Sequence, residues 1–399
     1  MPIGCILNML KILAISSIRS EYDLMSNLYQ LLHADPDIDL QLIVSGAHLS
    51  DAYGYSVSHI RDDGLNILAE LETLISSDSK SSQLKTASLF LSSSIDIVKM
   101  YAPDIIIYAG DREDVLVGGM LGLFLGIPTV HFFGGDHASD GHIDNPLRHA
   151  TSKISSAHFV SNIDHKRRLI AMGEREDRIF LIGSVALDKF IQEPVIDILN
   201  VLKQMGANEH AYEKPLVTFI FHPIAEEKKL AGHFIKNSVS ALIDQGFHVC
   251  IGGTNTDPGN FQILKILEQL SLKNEVTFYK NLPRTEFVNL LRHSKMIVGN
   301  SSTGLLEAAS LKLPAINVGG RQFGRLCGSN VIFSNGTYED IVHSIKIALS
   351  DDFQSQLQTL KNPYGDSNSS VIAAKLLKDI NFAEIIKKSE DPLNNKGNI

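Results

Sequence analysis

The sequence predicts an α/β protein built as two successive doubly wound halves, each a parallel sheet with helices on both faces. Short apolar, β-branched runs alternate with helical stretches, the pattern of a parallel sheet with crossover helices. The alternation breaks once, around residues 192–215, and then restarts. At about 100–200 residues per domain, 399 residues allow two or three domains.

The first half opens with Lys11–Ser16 (KILAIS), a polar loop and an amphipathic helix over 21–33. The strands Leu40–Val44 and Asp104–Tyr108 follow, then a helix over 113–125 and the strand Pro128–Phe132. Ala157–Val160 and Ile179–Ile182 continue the series. The second half begins at Leu216–Phe221 (LVTFIF), with a helix ending near Asp244. It continues through His248–Gly252, a helix near 261–270, Val276–Tyr279, a helix over 284–292 and Met296–Val298. A helix from Thr303, the strands Ala315–Val318 and Val331–Phe333, and a helix over 338–349 complete it. The domains are therefore expected at 9–195 and 210–368, with a helix and tail over 369–399 that can pack on either half.

Composition excludes several classes. Apolar residues are 44% and charged residues 20% of the chain, too rich a core for intrinsic disorder. Thirty-six basic and 45 acidic residues give a net charge of −9, with no basic stripe for nucleic acid or an anionic membrane. Three scattered cysteines, Cys5, Cys250 and Cys327, form no disulfide framework or thiolate zinc motif and fit a reducing cytoplasm. Residues 1–8 lack the basic start of a signal peptide. Val115–Gly135 holds no Asp, Glu, Lys or Arg, yet its six glycines and one proline suit a buried helix, turn and strand better than a membrane span.

Ligands of doubly wound domains bind at the carboxyl ends of the strands, so the loops there hold the chemistry. After the first strand, Ser16-Ser17-Ile18-Arg19 lacks a GxGxxG fingerprint; a helix start with Ser and Arg suits an anion or is an ordinary cap. Gly110-Asp111-Arg112-Glu113-Asp114 follows an apolar strand. There Arg112 can pair with phosphate and Asp111 can accept a proton, or Asp111 can simply cap a helix. Residues 134–149 open with two glycines, and three aspartates and three histidines follow them. Asp136 and Asp144 can form an acid/base pair, or Asp144 can cap a helix with Pro146 in its first turn. The spacings match no metal-ligand pattern, so no metal is predicted.

In the second half, His222 ends a strand and is fixed by Pro223. Asn255 lies in a turn-rich loop after the next strand. Gly299-Asn300-Ser301-Ser302-Thr303 leads into a helix start whose N–H groups and hydroxyls suit a diphosphate, with Glu307 one turn on, placed to take two ribose hydroxyls. A capping box is the alternative for the serines and Glu307. Gly319-Gly320-Arg321-Gln322-Phe323-Gly324-Arg325 places two arginines among glycines, for phosphates or as a solvated turn.

Five motifs in order, GDRED (110–114), GGD…GxxDNPLRHA (134–150), FHP (221–223), NSSTGLLEA (300–308) and GGRQFGR (319–325), together resemble the UDP-N-acetylglucosamine 2-epimerase family over residues 10–350. The likeness is to its hydrolysing branch, which feeds sialic-acid-type nonulosonate synthesis. The resemblance implies a GT-B fold, two Rossmann-like domains with the nucleotide sugar in the cleft between them. It implies that Ser301, Ser302 and Arg321 hold the diphosphate, with Arg19 added from the first half. Glu307 then holds the ribose, Asn255 lies near the nucleotide, and Asp111, Asp136, Asp144 and His222 surround the sugar. The family reaction is anti elimination of UDP followed by hydration of the glycal, with no cofactor. Homodimers or homotetramers are the family's common states.

Family members usually carry Glu where Asp136 stands, and the loop that follows is about one residue longer here; the extra residue either compensates the shorter Asp or signals a different sugar, such as a 2,4-diacetamido-2,4,6-trideoxy sugar on a legionaminic-acid route. Three other readings stay open: a non-hydrolysing 2-epimerase, a GT-B glycosyltransferase and a non-enzymatic nucleotide-sugar sensor.

Overall fold

The computed structural model describes residues 9–77, 80–137, 143–224, 227, 229–254, 260–280, 282–389 and 391. The chain divides into two compact units, Met1–Lys189 with Ser367–Ile399, and Phe190–Asp366.

The first unit contains β1 (Leu10–Ser16), β2 (Ile38–Ser45), β3 (Ile67–Leu71), β4 (Ile105–Ala109), β5 (Thr129–Phe132), β6 (Ala157–Val160) and β7 (Ile179–Leu181). Their order is β3-β2-β1-β4-β5-β6-β7, and every pairing is parallel. Alternate residues of the central strands enter opposite cores. Ile12, Ala14, Ile105 and Ile107 face the helices Arg19–Ala34 and Ser369–Asp379. Leu13, Ile15, Ile106 and Tyr108 face Lys80–Tyr101 and Glu113–Leu125. Burial on both faces explains why these strands read as continuous apolar runs.

The apolar stretch from Val115 forms part of the helix Glu113–Leu125 and β5. Its glycines let the helix sit close on the sheet: a Cβ at Gly122 would lie 2.1 Å from Thr129 Cγ2. Among the described residues, no helix is long and apolar enough to cross a membrane.

The second unit contains β8 (Leu216–Ile220), β9 (His248–Gly252), β10 (Val276–Tyr279), β11 (Ser294–Gly299), β12 (Ala315–Val318) and β13 (Val331–Ser334). It repeats the same order, β10-β9-β8-β11-β12-β13, again all parallel. The segment 192–215 holds two short helices, Ile198–Gln204 and Glu209–Glu213, in this unit.

The C-terminal segment returns to the first unit. Ala373, Leu377 and Phe382 enter the core beside β1. Buried Asp188 accepts the N–H groups of Ser369 and Ser370. Arg178 donates to the carbonyls of Ile385, Lys387 and Ser156. Lys388 donates to the carbonyls of Lys153 and Ser155, both at 2.9 Å, and to Glu174 Oε2 at 2.5 Å. These carbonyls end the helix Asp144–Ile154, so Lys388 supplies donors that a helix C-terminus lacks.

Candidate active site

In each sheet the order reverses once, between β1 and β4 and between β8 and β11. Such switch points open a crevice at the carboxyl ends of the strands, where ligands of these folds bind. Most of the residues singled out in the sequence fall there.

In the first unit, Gly110 turns the chain after β4 with φ +94. Asp111 then pairs with Arg148 instead of capping the next helix. The cap position belongs to Arg112, whose side chain makes no capping bond. Arg148 also faces Asp136 across 3.9 Å, and His165 Nε2 lies 3.2 Å from the other oxygen of Asp136. Arg148 is buried and sits four residues after Asp144 on one helix, so the two side chains share a face. One guanidinium thus gathers carboxylates from the loops after β4 and β5, on a helix whose first residue is a third. The sequence reading quoted Arg148 within a motif but gave it no role; the four-residue spacing from Asp144 was the available signal.

His131 on β5 ties the same parts together from behind. Its Nε2 lies 2.8 Å from the Gly110 carbonyl and its Nδ1 3.0 Å from Ser152 Oγ. A carbonyl only accepts, so Nε2 carries the hydrogen and Nδ1 accepts from the Ser152 hydroxyl. Burial pushes the His131 pKa down to about 3, so the ring is neutral. At the rim, His137 and His149 stack at 5.7 Å. Burial, with the charges of His137 and Arg148, lowers the His149 pKa.

Across the switch point, Arg19 begins the helix Arg19–Ala34, exposed and 3.5 Å from Asp23. Glu21, by contrast, is buried and takes the Ser17 N–H at 3.2 Å. Burial, reinforced by the charge of Asp114, raises its pKa well above the carboxylate range. Burial raises that of Asp114 too.

In the second unit, Asn300 bridges the switch point. Its Oδ1 accepts from the His222 N–H at 2.7 Å and its Nδ2 donates to the His222 carbonyl at 2.8 Å. That reciprocal pair fixes the backbone of His222. Gly299 makes the approach possible: its φ is +127, and a Cβ there would lie 1.9 Å from the Ile220 carbonyl oxygen. Arg321 and Gln322 donate to the Asn300 carbonyl at 3.0 and 2.9 Å, beside Ser301 and Ser302. The helix after them is a single turn, Thr303–Leu306, followed by a 3₁₀ turn. Ser301 Oγ accepts the Thr303 N–H at 3.4 Å, a local bond of the capping kind. Burial raises the pKa of Glu307, opposed by Thr303 and Arg284. Its Oε2 finds no partner among the described residues. The Gly320 N–H donates to Glu227. Asn255 lies outside the described residues. Among the described residues, no group of His, Cys, Asp and Glu is placed to hold a metal ion.

Residues 30–378 match the family model described as UDP-N-acetylglucosamine 2-epimerase. The UDP-N,N'-diacetylbacillosamine 2-epimerase (hydrolyzing) of Legionella pneumophila is 32% identical over 372 residues, covering 93% of this chain and 96% of that protein. The GDP/UDP-N,N'-diacetylbacillosamine 2-epimerase (hydrolyzing) of Campylobacter jejuni is also 32% identical, over 95% of this chain and 98% of that protein. Among solved structures, a UDP-GlcNAc 2-epimerase from Neisseria meningitidis, bound to UDP-GlcNAc, superposes with a TM-score of 0.72 at 19% identity. The match covers 92% of this chain and 100% of that one. The structural likeness shows the fold, which is of the GT-B type with two Rossmann-like α/β domains.

Proposed function

The chain belongs to the UDP-N-acetylglucosamine 2-epimerase family, and on that premise we propose that it is a hydrolysing epimerase of a UDP-linked 2-acetamido sugar. Its substrate is UDP-GlcNAc or UDP-2,4-diacetamido-2,4,6-trideoxyglucose. A carboxylate removes the C2 proton while the C1–O bond breaks and its electron pair leaves with UDP. The C1–C2 double bond of a glycal forms. Water then adds, its hydroxyl to C1 and a proton to C2 on the opposite face. The products are UDP and the free manno sugar, inverted at C2.

The observation that carries this reading is the pairing of Asp111 and Asp136 with Arg148, on the helix that begins at Asp144. Removing a proton from C2 and returning one to the other face takes carboxylates placed together. Asp111 or Asp136 is the C2 base and Asp144 helps deliver the water. Arg148 positions them. His222, held by Asn300, takes part at the sugar. The departing diphosphate needs positive charge and N–H donors that are in place before it leaves. Ser301, Ser302 and Arg321 supply these from the second unit, Arg19 and Arg112 from the first. Glu307 holds the ribose and Asn255 contacts the nucleotide. No cofactor takes part in any step.

The acidic chain is not a partner for nucleic acid or membrane, its scattered cysteines support a cytoplasmic setting, and it works as a homodimer or homotetramer. The test is UDP release from each UDP-sugar with no acceptor present. Release by the native chain, abolished in Asp111→Asn while UDP still binds, supports the reading. Release only on adding an acceptor makes the protein a glycosyltransferase, and a UDP-linked epimer makes it a non-hydrolysing epimerase.

A further inference from the structure

Taking a proton from one face of C2 and returning one to the other makes unequal demands on two carboxyl groups. The base must arrive ionised and the acid must arrive with its proton. Arg148 does not tell Asp111 and Asp136 apart, since it faces both. His165 does.

His165 lies in the first turn of the helix Ile163–Ala171 and is buried. The loop after β5 is seated on that turn. A Cβ at Gly135, whose φ is +79, would lie 2.4 Å from the His165 carbonyl oxygen. Arg168 of the same helix donates to the Gly135 carbonyl. This seat sets His165 Nε2 3.2 Å from Asp136 Oδ1. Buried Asn162 approaches the same ring nitrogen. Its Oδ1 caps the helix by accepting the His165 N–H at 3.0 Å. The amide is thereby oriented, with its Nδ2 3.0 Å from His165 Nε2.

An amide nitrogen only donates, so Nε2 presents its lone pair and the hydrogen of the neutral ring is on Nδ1. An ionised Asp136 would set an oxygen lone pair against that same nitrogen. A hydrogen on Nε2 would relieve this contact only by facing the Asn162 amide hydrogens. A proton on Asp136 Oδ1 turns both contacts into hydrogen bonds, with Nε2 accepting each. Oδ1 keeps the His137 N–H at 2.8 Å as well, since a hydroxyl oxygen also accepts. Arg148 favours an ionised Asp136, but it stands 3.9 Å from Oδ2 and Asp111 meets its charge more closely. Asp111 takes that guanidinium directly, which favours its ionised form.

We propose that His165 is a positioning residue that keeps a proton on Asp136, so that Asp136 is the acid that delivers to C2 and Asp111 the base that takes from it. The inference rests on the hydrolysing-epimerase reading and divides the roles within it. Asp111 takes the C2 proton; the C–H electron pair becomes the C1–C2 double bond, and the C1–O pair leaves with UDP. Asp136 then gives its proton to C2, where the double-bond pair forms the new C–H bond. Water bonds to C1 through its oxygen and passes a proton to Asp144. Asp111 and Asp144 return one proton each to solvent and Asp136 takes one back, so each turnover releases one proton along with UDP.

The test uses His165→Gln in the full chain, with each UDP-sugar in turn. The variant sets an amide donor against Asp136, which favours the ionised carboxylate. UDP release should stay within about tenfold of native because Asp111 is untouched, whereas free manno sugar should form about a hundredfold more slowly. The glycal should accumulate in its place, read in proton NMR by its vinyl hydrogen. UDP and free sugar falling together without glycal in a variant folded by circular dichroism, or free sugar formed at the native rate, overturns the proposal. Nitrogen NMR on the free chain labelled at histidine, with His165→Gln identifying the signal, reads the ring without turnover. A hydrogen on Nδ1 and a bare, hydrogen-bonded Nε2 are expected; a ring protonated on Nε2 alone overturns the proposal even in an active enzyme. A native chain that releases no UDP from either sugar overturns the epimerase reading instead, and the ring hydrogen still decides whether His165 keeps a proton on Asp136.

Discussion

Replacing His131 by Phe keeps a ring of similar size and removes both nitrogens. Two groups then lose their partners, the half-buried Gly110 carbonyl at 2.8 Å and the buried Ser152 hydroxyl at 3.0 Å. At about 1–3 kcal/mol for each orphaned group, the fold should lose about 2–6 kcal/mol. That is a large share of the ~5–15 kcal/mol that holds a typical domain together. The chain has no Trp, so urea unfolding is best followed by far-UV circular dichroism. The functional effect should be larger than the stability loss alone implies. Gly110 precedes Asp111, and Ser152 lies on the helix that carries Asp144 and Arg148. A shift of about 1 Å between these groups is enough for a ~100-fold fall in kcat. His131→Gln, which can still donate to Gly110, should recover part of it. Because the ring stays neutral down to a pH of about 3, the pH profile between 5 and 8 should not change shape. Full kcat in the Phe variant at a temperature where it is folded would refute the idea that His131 positions the carboxylates.

Further outcomes follow from the same geometry. Arg148→Lys replaces a planar fork spanning Asp111 and Asp136 by a single ammonium, and should lower kcat about 10- to 100-fold with UDP affinity unchanged in calorimetry; unchanged kcat would contradict the organising role of Arg148. Gly299→Ala places a methyl 1.9 Å from a backbone oxygen at φ +127, and should destabilise the second unit by more than about 4 kcal/mol in a thermal melt. Lys388→Met leaves Glu174, whose side chain is fully buried, with one cation fewer, for a loss of about 3–5 kcal/mol. Desolvation works against the Glu174 carboxylate, but His158, Lys388 and Lys153 hold its pKa at about 2. Its contribution is therefore complete above about pH 4.5 and lost as the pH falls toward 2, and Lys388→Met should move that acid limb upward. Burial holds His48 and His248 neutral in the fold, with pKa values of about 4. The unfolded chain takes up their protons first, so stability should fall as the pH drops from about 6.5 toward 4, by about 2 kcal/mol per histidine at pH 5. A urea midpoint constant from pH 7 to 5 would contradict that assignment.

The two-sheet plan was legible because strands buried on both faces read as near-continuous apolar runs, as Ile105–Ala109 does and as Leu216–Ile220 does but for Thr218. β3 was not read. It lies at the sheet edge and is half exposed along most of its length, so its pattern blurs. The 22-residue helix Lys80–Tyr101 was missed for a related reason: its serines and apolar residues follow no clear face. The segment after 369 was read as one helix and a tail; its helix stops at Asp379, and a second short turn follows at Phe382–Ile385.

The loops were legible as sites because ionisable residues follow apolar strands. Their pairings were not, since Arg148 and Asp111 lie 37 residues apart. Glu21 and Asp114 look like ordinary first-turn acids in the sequence. Only packing shows them buried.

The central claim is that UDP leaves by elimination across C1 and C2 and that water completes the reaction. Proton NMR in D₂O, with the native chain and each UDP-sugar in turn, tests it most directly. The account predicts free manno-configured sugar carrying deuterium at C2, formed one for one with UDP. Free sugar that keeps its C2 proton, or that retains the gluco configuration, would contradict it.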